Sequence, residues 1–134
     1  MRDAAPQTIY LKDYTPTHYD VAHVALDFTL HPTATRVQSR IEFTRVRAED
    51  LVLNGEDLIL KSLRVDGAEV PHEVSETHLT ITAAHLSDAF TLEVEVEISP
   101  ETNTALEGLY MSGGMYCTQC EAEGFRKKIG RAHV

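Results

Sequence analysis

The chain has no tryptophan, only two cysteines, and no apolar run near the ~18–20 residues that a membrane helix requires. A membrane-spanning helix is therefore not expected. Cys117 and Cys120 are too few to build the disulfide framework of a small secreted domain, and residues 1–7 lack the apolar stretch of a secretory signal. A reducing cytoplasm is the expected setting. Basic residues are also scarce: 12 Lys and Arg stand against 21 Asp and Glu, a net charge of −9. Affinity for a phosphate backbone comes from many Lys and Arg contacts, so neither nucleic acid nor an anionic membrane surface is expected as a partner.

The sequence forms of common active sites are missing as well. Ser112-Gly113-Gly114 is too short for a glycine-rich phosphate loop, and no Gly-x-Ser-x-Gly elbow occurs. His18, His23, His31, His72, His78, His85 and His133 include no His-x-x-x-His pair and no His-Glu-x-x-His. Cys117-x-x-Cys120 offers half of a zinc knuckle, but no second pair completes the four ligands of a structural site. Nor is it set in the strand–helix context of a redox pair. Two reduced cysteines packed in a loop is the preferred reading.

What is present is a period of two. Phe90, Leu92, Val94, Val96 and Ile98 alternate with Thr91, Glu93, Glu95 and Glu97, the pattern of a half-buried strand. Ala22, Val24, Leu26, Phe28 and Leu30 alternate in the same way, and His31-Pro32-Thr33-Ala34-Thr35 turns the chain. Val37, Ile41 and Phe43 then line one side of a partner strand, which predicts a hairpin. Leu51-Val52-Leu53 is stopped by Asn54-Gly55. Leu58 to Val65 leads into Asp66-Gly67, a dipeptide suited to tight hairpin turns, with Ala68-Glu69-Val70 expected to return until Pro71. His78-Leu79-Thr80-Ile81 reads as one more short strand. With 134 residues, one domain is expected, and many short strands with regular turn signals predict an all-β fold, a sandwich of roughly eight strands. After Ser99-Pro100 the alternation fades, and residues 101–124 read as a shaped loop and not as sheet. Within it Gln119, Glu121 and Glu123 would share one side in extended geometry, where carboxylates can hold a cation.

Several strings carry a resemblance. Asn103-Thr-Ala-Leu-Glu-Gly-Leu-Tyr110 and Cys117-Thr-Gln-Cys-Glu-Ala-Glu-Gly-Phe-Arg126 closely resemble the zinc-dependent gluzincin aminopeptidases of the bacterial aminopeptidase N type. Tyr10-Leu-Lys-Asp-Tyr14, Leu30-His-Pro-Thr-Ala-Thr-Arg36, Leu53-Asn-Gly-Glu-Asp-Leu58 and Val65-Asp-Gly67 are similar to the start of the same family, so the likeness runs from about Tyr10 to Arg126. It implies an N-terminal β-sandwich domain over residues 1–126 that packs against a thermolysin-like catalytic domain. The zinc of the full-length enzyme and its His-Glu-x-x-His ligands would lie in that second domain, leaving no metal ligand and no catalytic residue in this chain. The resemblance also implies that residues 101–126 lend a loop to the active site. In it Glu121 would bind the α-ammonium at the N-terminus of a peptide substrate, and Gln119 would line the pocket for the first side chain. Glu123 receives no role.

The family pattern continues after Arg126 with strands that complete the sandwich, whereas Lys127 to Val134 departs from it and reads as a non-native tail. An incomplete sandwich is expected to expose strand edges and to self-associate. The competing reading is a non-enzymatic β-sandwich module that binds a protein through an edge or through the Glu93, Glu95 and Glu97 face.

Overall fold

The computed structural model describes residues 8, 10–13, 16–106 and 108–119. The strands are β1 (Tyr19–Thr29), β2 (Thr35–Arg45), β3 (Leu51–Asn54), β4 (Ile59–Val65), β5 (Glu73–Val74), β6 (His78–Ile81), β7 (Ala89–Ile98), β8 (Gly108–Ser112) and β9 (Met115–Gln119). They form a four-stranded sheet in the order β1-β2-β7-β4, a three-stranded sheet β3-β6-β5, and the separate hairpin β8-β9. All pairings are antiparallel. The all-β expectation holds.

The alternation explains the layers. Along β2 and β7, Val37, Ile41, Phe43, Phe90, Leu92, Val94, Val96 and Ile98 point one way and are buried. Leu51, Leu53, Leu79 and Ile81 of the smaller sheet belong to the same cluster, so the two sheets share one core. Tyr19, Phe43 and Phe90 close one end of it, with Tyr19 edge-on to both phenylalanines and its hydroxyl donating to the Glu49 carbonyl at 2.6 Å. Such edge-to-face pairs suit the ring quadrupoles.

The expected β1–β2 hairpin is present, and its turn is locked from within. The Thr35 hydroxyl donates to the His31 carbonyl at 2.6 Å and accepts the His31 N–H at 2.9 Å. His31 Nδ1 accepts from the N–H groups of Thr33 and Ala34, both at 3.2 Å. β1 is less regular than its sequence implies, because a bulge between Val21 and His23 shifts the register. On this edge strand Val24 and Leu26 are half-buried, while Phe28 and Leu30 stay largely exposed.

The return strand expected after Asp66-Gly67 does not form. Both residues adopt positive φ, 50° and 82°, as a tight turn requires. Only a single bridge, Val65 to Ala68, follows the turn. Asp66 is instead tied to β7: its Oδ1 accepts the Thr91 N–H and its own N–H donates to the Thr91 carbonyl, each at 2.9 Å. β4 therefore pairs with β7, and the chain after Ala68 leaves for the other sheet.

The outer face of the large sheet carries the predicted acidic stripe, but its charge is met locally. Arg36 lies 3.0 Å from Glu95 and 3.3 Å from Glu97, and Lys61 lies 3.4 Å from Glu97. Glu93 sits in register between Arg40 and Arg64.

Candidate functional site

Within the segment read as a loop, residues 108–119 form a hairpin. Gly113 and Gly114, at φ 58° and 81°, make its two-residue turn between β8 and β9. No atom lies within 4 Å of a Cβ added at either position, so backbone conformation and not space requires glycine there. The alternation was hidden because the strands are short and because Met, Cys and Thr blur the apolar face. The Gly-Gly pair between Leu109-Tyr110-Met111 and Met115-Tyr116-Cys117 was the signal that could have found it.

The root of the hairpin is fixed to the sandwich. Leu109 is 5% exposed and joins the core cluster. The Asn103 side-chain amide donates to the Leu109 carbonyl at 2.8 Å. The preceding turn at Pro100–Thr102 is held by the Glu101 N–H on the Pro32 carbonyl at 2.9 Å, which ties it to the β1–β2 turn. Gly108, at φ 69°, and Leu106, at φ 56°, bend the chain into β8.

Register sorts the hairpin into two faces. Gly108 lies opposite Gln119, Tyr110 opposite Cys117, and Ser112 opposite Met115, which places these six on one side. Leu109, Met111, Tyr116 and Thr118 occupy the other. Gln119 is exposed at the end of β9, across from a residue with no side chain. Tyr110 is its diagonal neighbour, within the roughly 7–8 Å at which long side chains meet across a sheet. Tyr110 and Met115 were not singled out from the sequence; strand pairing brings them to Gln119's face. Cys117 is half-buried and its thiol lies 3.8 Å from the Met115 carbonyl. Glu121, Glu123 and Cys120 lie outside the described residues, as do residues 121–134 with the expected tail.

Of the depressions elsewhere, two border β1 and β2. One, of about 530 Å³, runs over the outer face of the large sheet beside Asp27, Arg40, Ser62, Arg64, Glu93 and Glu95. The other, of about 470 Å³, is an apolar slot between β1–β2 and β3, lined by Tyr19, Val21, Ile41, Phe43, Leu51 and Leu53. Among the described residues no group of three His, Cys, Asp or Glu is placed to hold a metal ion. No helix among them is long and apolar enough to cross a membrane.

No family model matches the chain. Aminopeptidase N of Caulobacter vibrioides is 50% identical over 131 residues, covering 94% of this chain and 15% of that protein. Aminopeptidase N of Escherichia coli is 43% identical over 123 residues, covering 90% of this chain and 14% of that protein. Among solved structures, aminopeptidase A of Legionella pneumophila in complex with aspartic acid superposes with a TM-score of 0.74 at 28% identity, covering 87% of this chain and 14% of that one. An M1 zinc metallopeptidase from Deinococcus radiodurans shares the fold, with a TM-score of 0.69 at 16% identity over 88% of this chain and 30% of its own. The chain thus spans about one seventh of the length of the curated relatives it matches. At half identity over nearly all its residues, it belongs to the aminopeptidase N family.

Proposed function

We propose that this chain is the N-terminal domain of a cytoplasmic zinc aminopeptidase that removes single residues from the N-terminus of peptides. In this reading the domain supports the catalytic domain and supplies the segment that recognises the substrate's free amine. The observation that carries it is a hairpin docked by one buried leucine that ends in exposed Gln119, two residues before Glu121. An exopeptidase must recognise a chain end. A carboxylate facing an α-ammonium does so through a charge-assisted hydrogen bond, the stronger kind. A peptide with a blocked amine would leave that carboxylate desolvated and unpaired, which selects against it. Gln119, paired with Gly108 and exposed at the end of β9, would contact the first side chain of the peptide. Zinc, when bound, supplies Lewis-acid activation of water and of the scissile carbonyl. The described residues do not fit it; in this reading its ligands would lie in the catalytic domain, with which this domain would pack.

The test is Glu121→Gln in a full-length aminopeptidase N carrying residues 1–126 of this chain. The expected result is a loss of about 1–3 kcal/mol in kcat/KM on free-amine substrates, the worth of one charge-assisted bond. Unchanged kinetics would remove Glu121 from the site.

A further inference from the structure

Sheets end in edges, and the edges of this molecule are not equally guarded. Among the described residues, β3 offers four residues and β5 only two. β4, an edge of the large sheet, is interrupted by a bulge between Leu60 and Ser62 and carries Lys61 at that point. Short strands, bulges and edge lysines are the usual devices against edge-to-edge pairing. β1, the opposite edge, has 11 residues with no lysine and no proline. Its bulge lies near one end, between Val21 and His23, and from His23 to Thr29 its ladder with β2 is regular.

The residues along that stretch match themselves in reverse. His23, Ala25 and Asp27 are exposed on the outer face, while Val24 and Leu26 point toward the core and remain half-buried. An antiparallel pairing of two copies that keeps both faces aligned can centre on Val24, Ala25 or Leu26. Centred on Val24, it sets Asp27 of each copy against the bulge of the other. Centred on Leu26, it sets Asp27 against the methyl of Ala25. Centred on Ala25, it sets His23 against Asp27 of the second copy, twice by symmetry, and Val24 against Leu26, also twice. The imidazole N–H then donates to a carboxylate on one face, and the half-buried apolar pairs continue the core layer on the other. Ala25 brings only a methyl group to the axis, with Arg40 as its partner on β2.

We infer that the edge of β1, unpaired among the described residues, is a self-complementary interface, through which two copies of this chain pair antiparallel about a twofold axis at Ala25 to make one continuous eight-stranded sheet. The interaction is isologous and closes after two copies. The pairing is short, so the dimer forms weakly. The net charge of −9 opposes it, but salt screens that repulsion beyond about 8–10 Å.

Sedimentation equilibrium on the chain across the micromolar range tests this. The mass should rise with concentration from 14.9 kDa toward twice that value and stop there. His23→Asp sets carboxylates opposite each other at both ends and should weaken association about tenfold or more, since symmetry doubles each cross-strand term. Ala25→Arg, a second exposed position, should abolish it. The double variant H23D/D27K restores opposite charges in the same register and should recover the dimer, an outcome that no nonspecific aggregation produces. A monomer at every concentration, a wild-type dimer in H23D, or no recovery in the double variant would overturn the inference. The outcome is independent of whether Glu121 binds a peptide amine, since neither residue of the pair lies in the β8-β9 hairpin.

Discussion

Thr35 shows how one side chain can fix a turn. It is fully buried, and its hydroxyl both donates to and accepts from the backbone of His31, closing the reversal between β1 and β2. Valine would keep the branched shape and the strand propensity but remove both bonds. The His31 N–H would lose its acceptor in a part-buried place. A buried donor left unsatisfied costs more than a typical net hydrogen bond contributes. Thr35→Val should therefore lower stability by about 1–3 kcal/mol, read as a lower urea midpoint at unchanged slope. A midpoint equal to the wild type would mean that water replaces the hydroxyl. Arg45 has a comparable task at the other end of β2, where its guanidinium donates to the carbonyls of Ala83, at 2.9 Å, and Leu86. It holds the short turn at Ala83–His85 against the sheet, together with Asp50, whose carboxylate accepts the Ala83 N–H at 3.0 Å.

At the scale of elements, the hairpin β8-β9 and the strand β7 are opposites. β7 is central, with β2 on one side and β4 on the other, and its five inward residues are all buried. Among the described residues the hairpin pairs only with itself, and of its inward residues Leu109 alone reaches the core cluster. Local opening free energy follows burial and the number of bonded neighbours. Amide exchange over residues 108–119 is thus expected to be faster than over 89–98 by at least one order of magnitude in protection, each factor of ten being about 1.4 kcal/mol. Equal protection would show that the hairpin opens only with the whole domain. The same contrast governs what the sequence disclosed. β2, β6 and β7 were legible because one face of each is buried and the other is wet, which writes a period of two into the residues. The pairing of β4 with β7 was not legible, because Asp66-Gly67 gives a correct local turn while the partner is chosen by a hydrogen bond to Thr91, 25 residues away. β8 and β9 were missed because each buries too little to impose a pattern. Of the candidate site, spacing alone singled out Gln119 and Glu121 as residues that could face a cation, the roles proposed for them came only through resemblance, and the face shared by Gln119 and Tyr110 required the register.

At the scale of the whole molecule, the question is what a domain of this kind can do by itself. Its core is built from strand faces and spends its apolar residues on holding two sheets together, and its outer carboxylates are matched by Arg36, Lys61, Arg40 and Arg64 in or beside the same rows. Hydrolysis of an amide needs an activated water and a group that stabilises the charge developing on the carbonyl oxygen. A metal site that provides both needs at least three convergent protein ligands, and the described residues bring no such trio together. The sequence outside them adds Asp3, Glu107, Cys120, Glu121, Glu123 and His133 but no His-Glu-x-x-His. Recognition of a peptide amine by a carboxylate contributes binding, and binding without a reacting group does not lower the chemical barrier. The isolated chain is accordingly expected to leave aminoacyl amides intact, with or without added zinc. The measurement is release of a chromogenic amine by purified chain at high concentration, with a chelator as control. Turnover above the uncatalysed rate that the chelator abolishes would mean that the chain assembles a metal centre of its own. Turnover that persists with chelator but disappears in Glu121→Gln would instead make that carboxylate a reacting group and not only a recognition group.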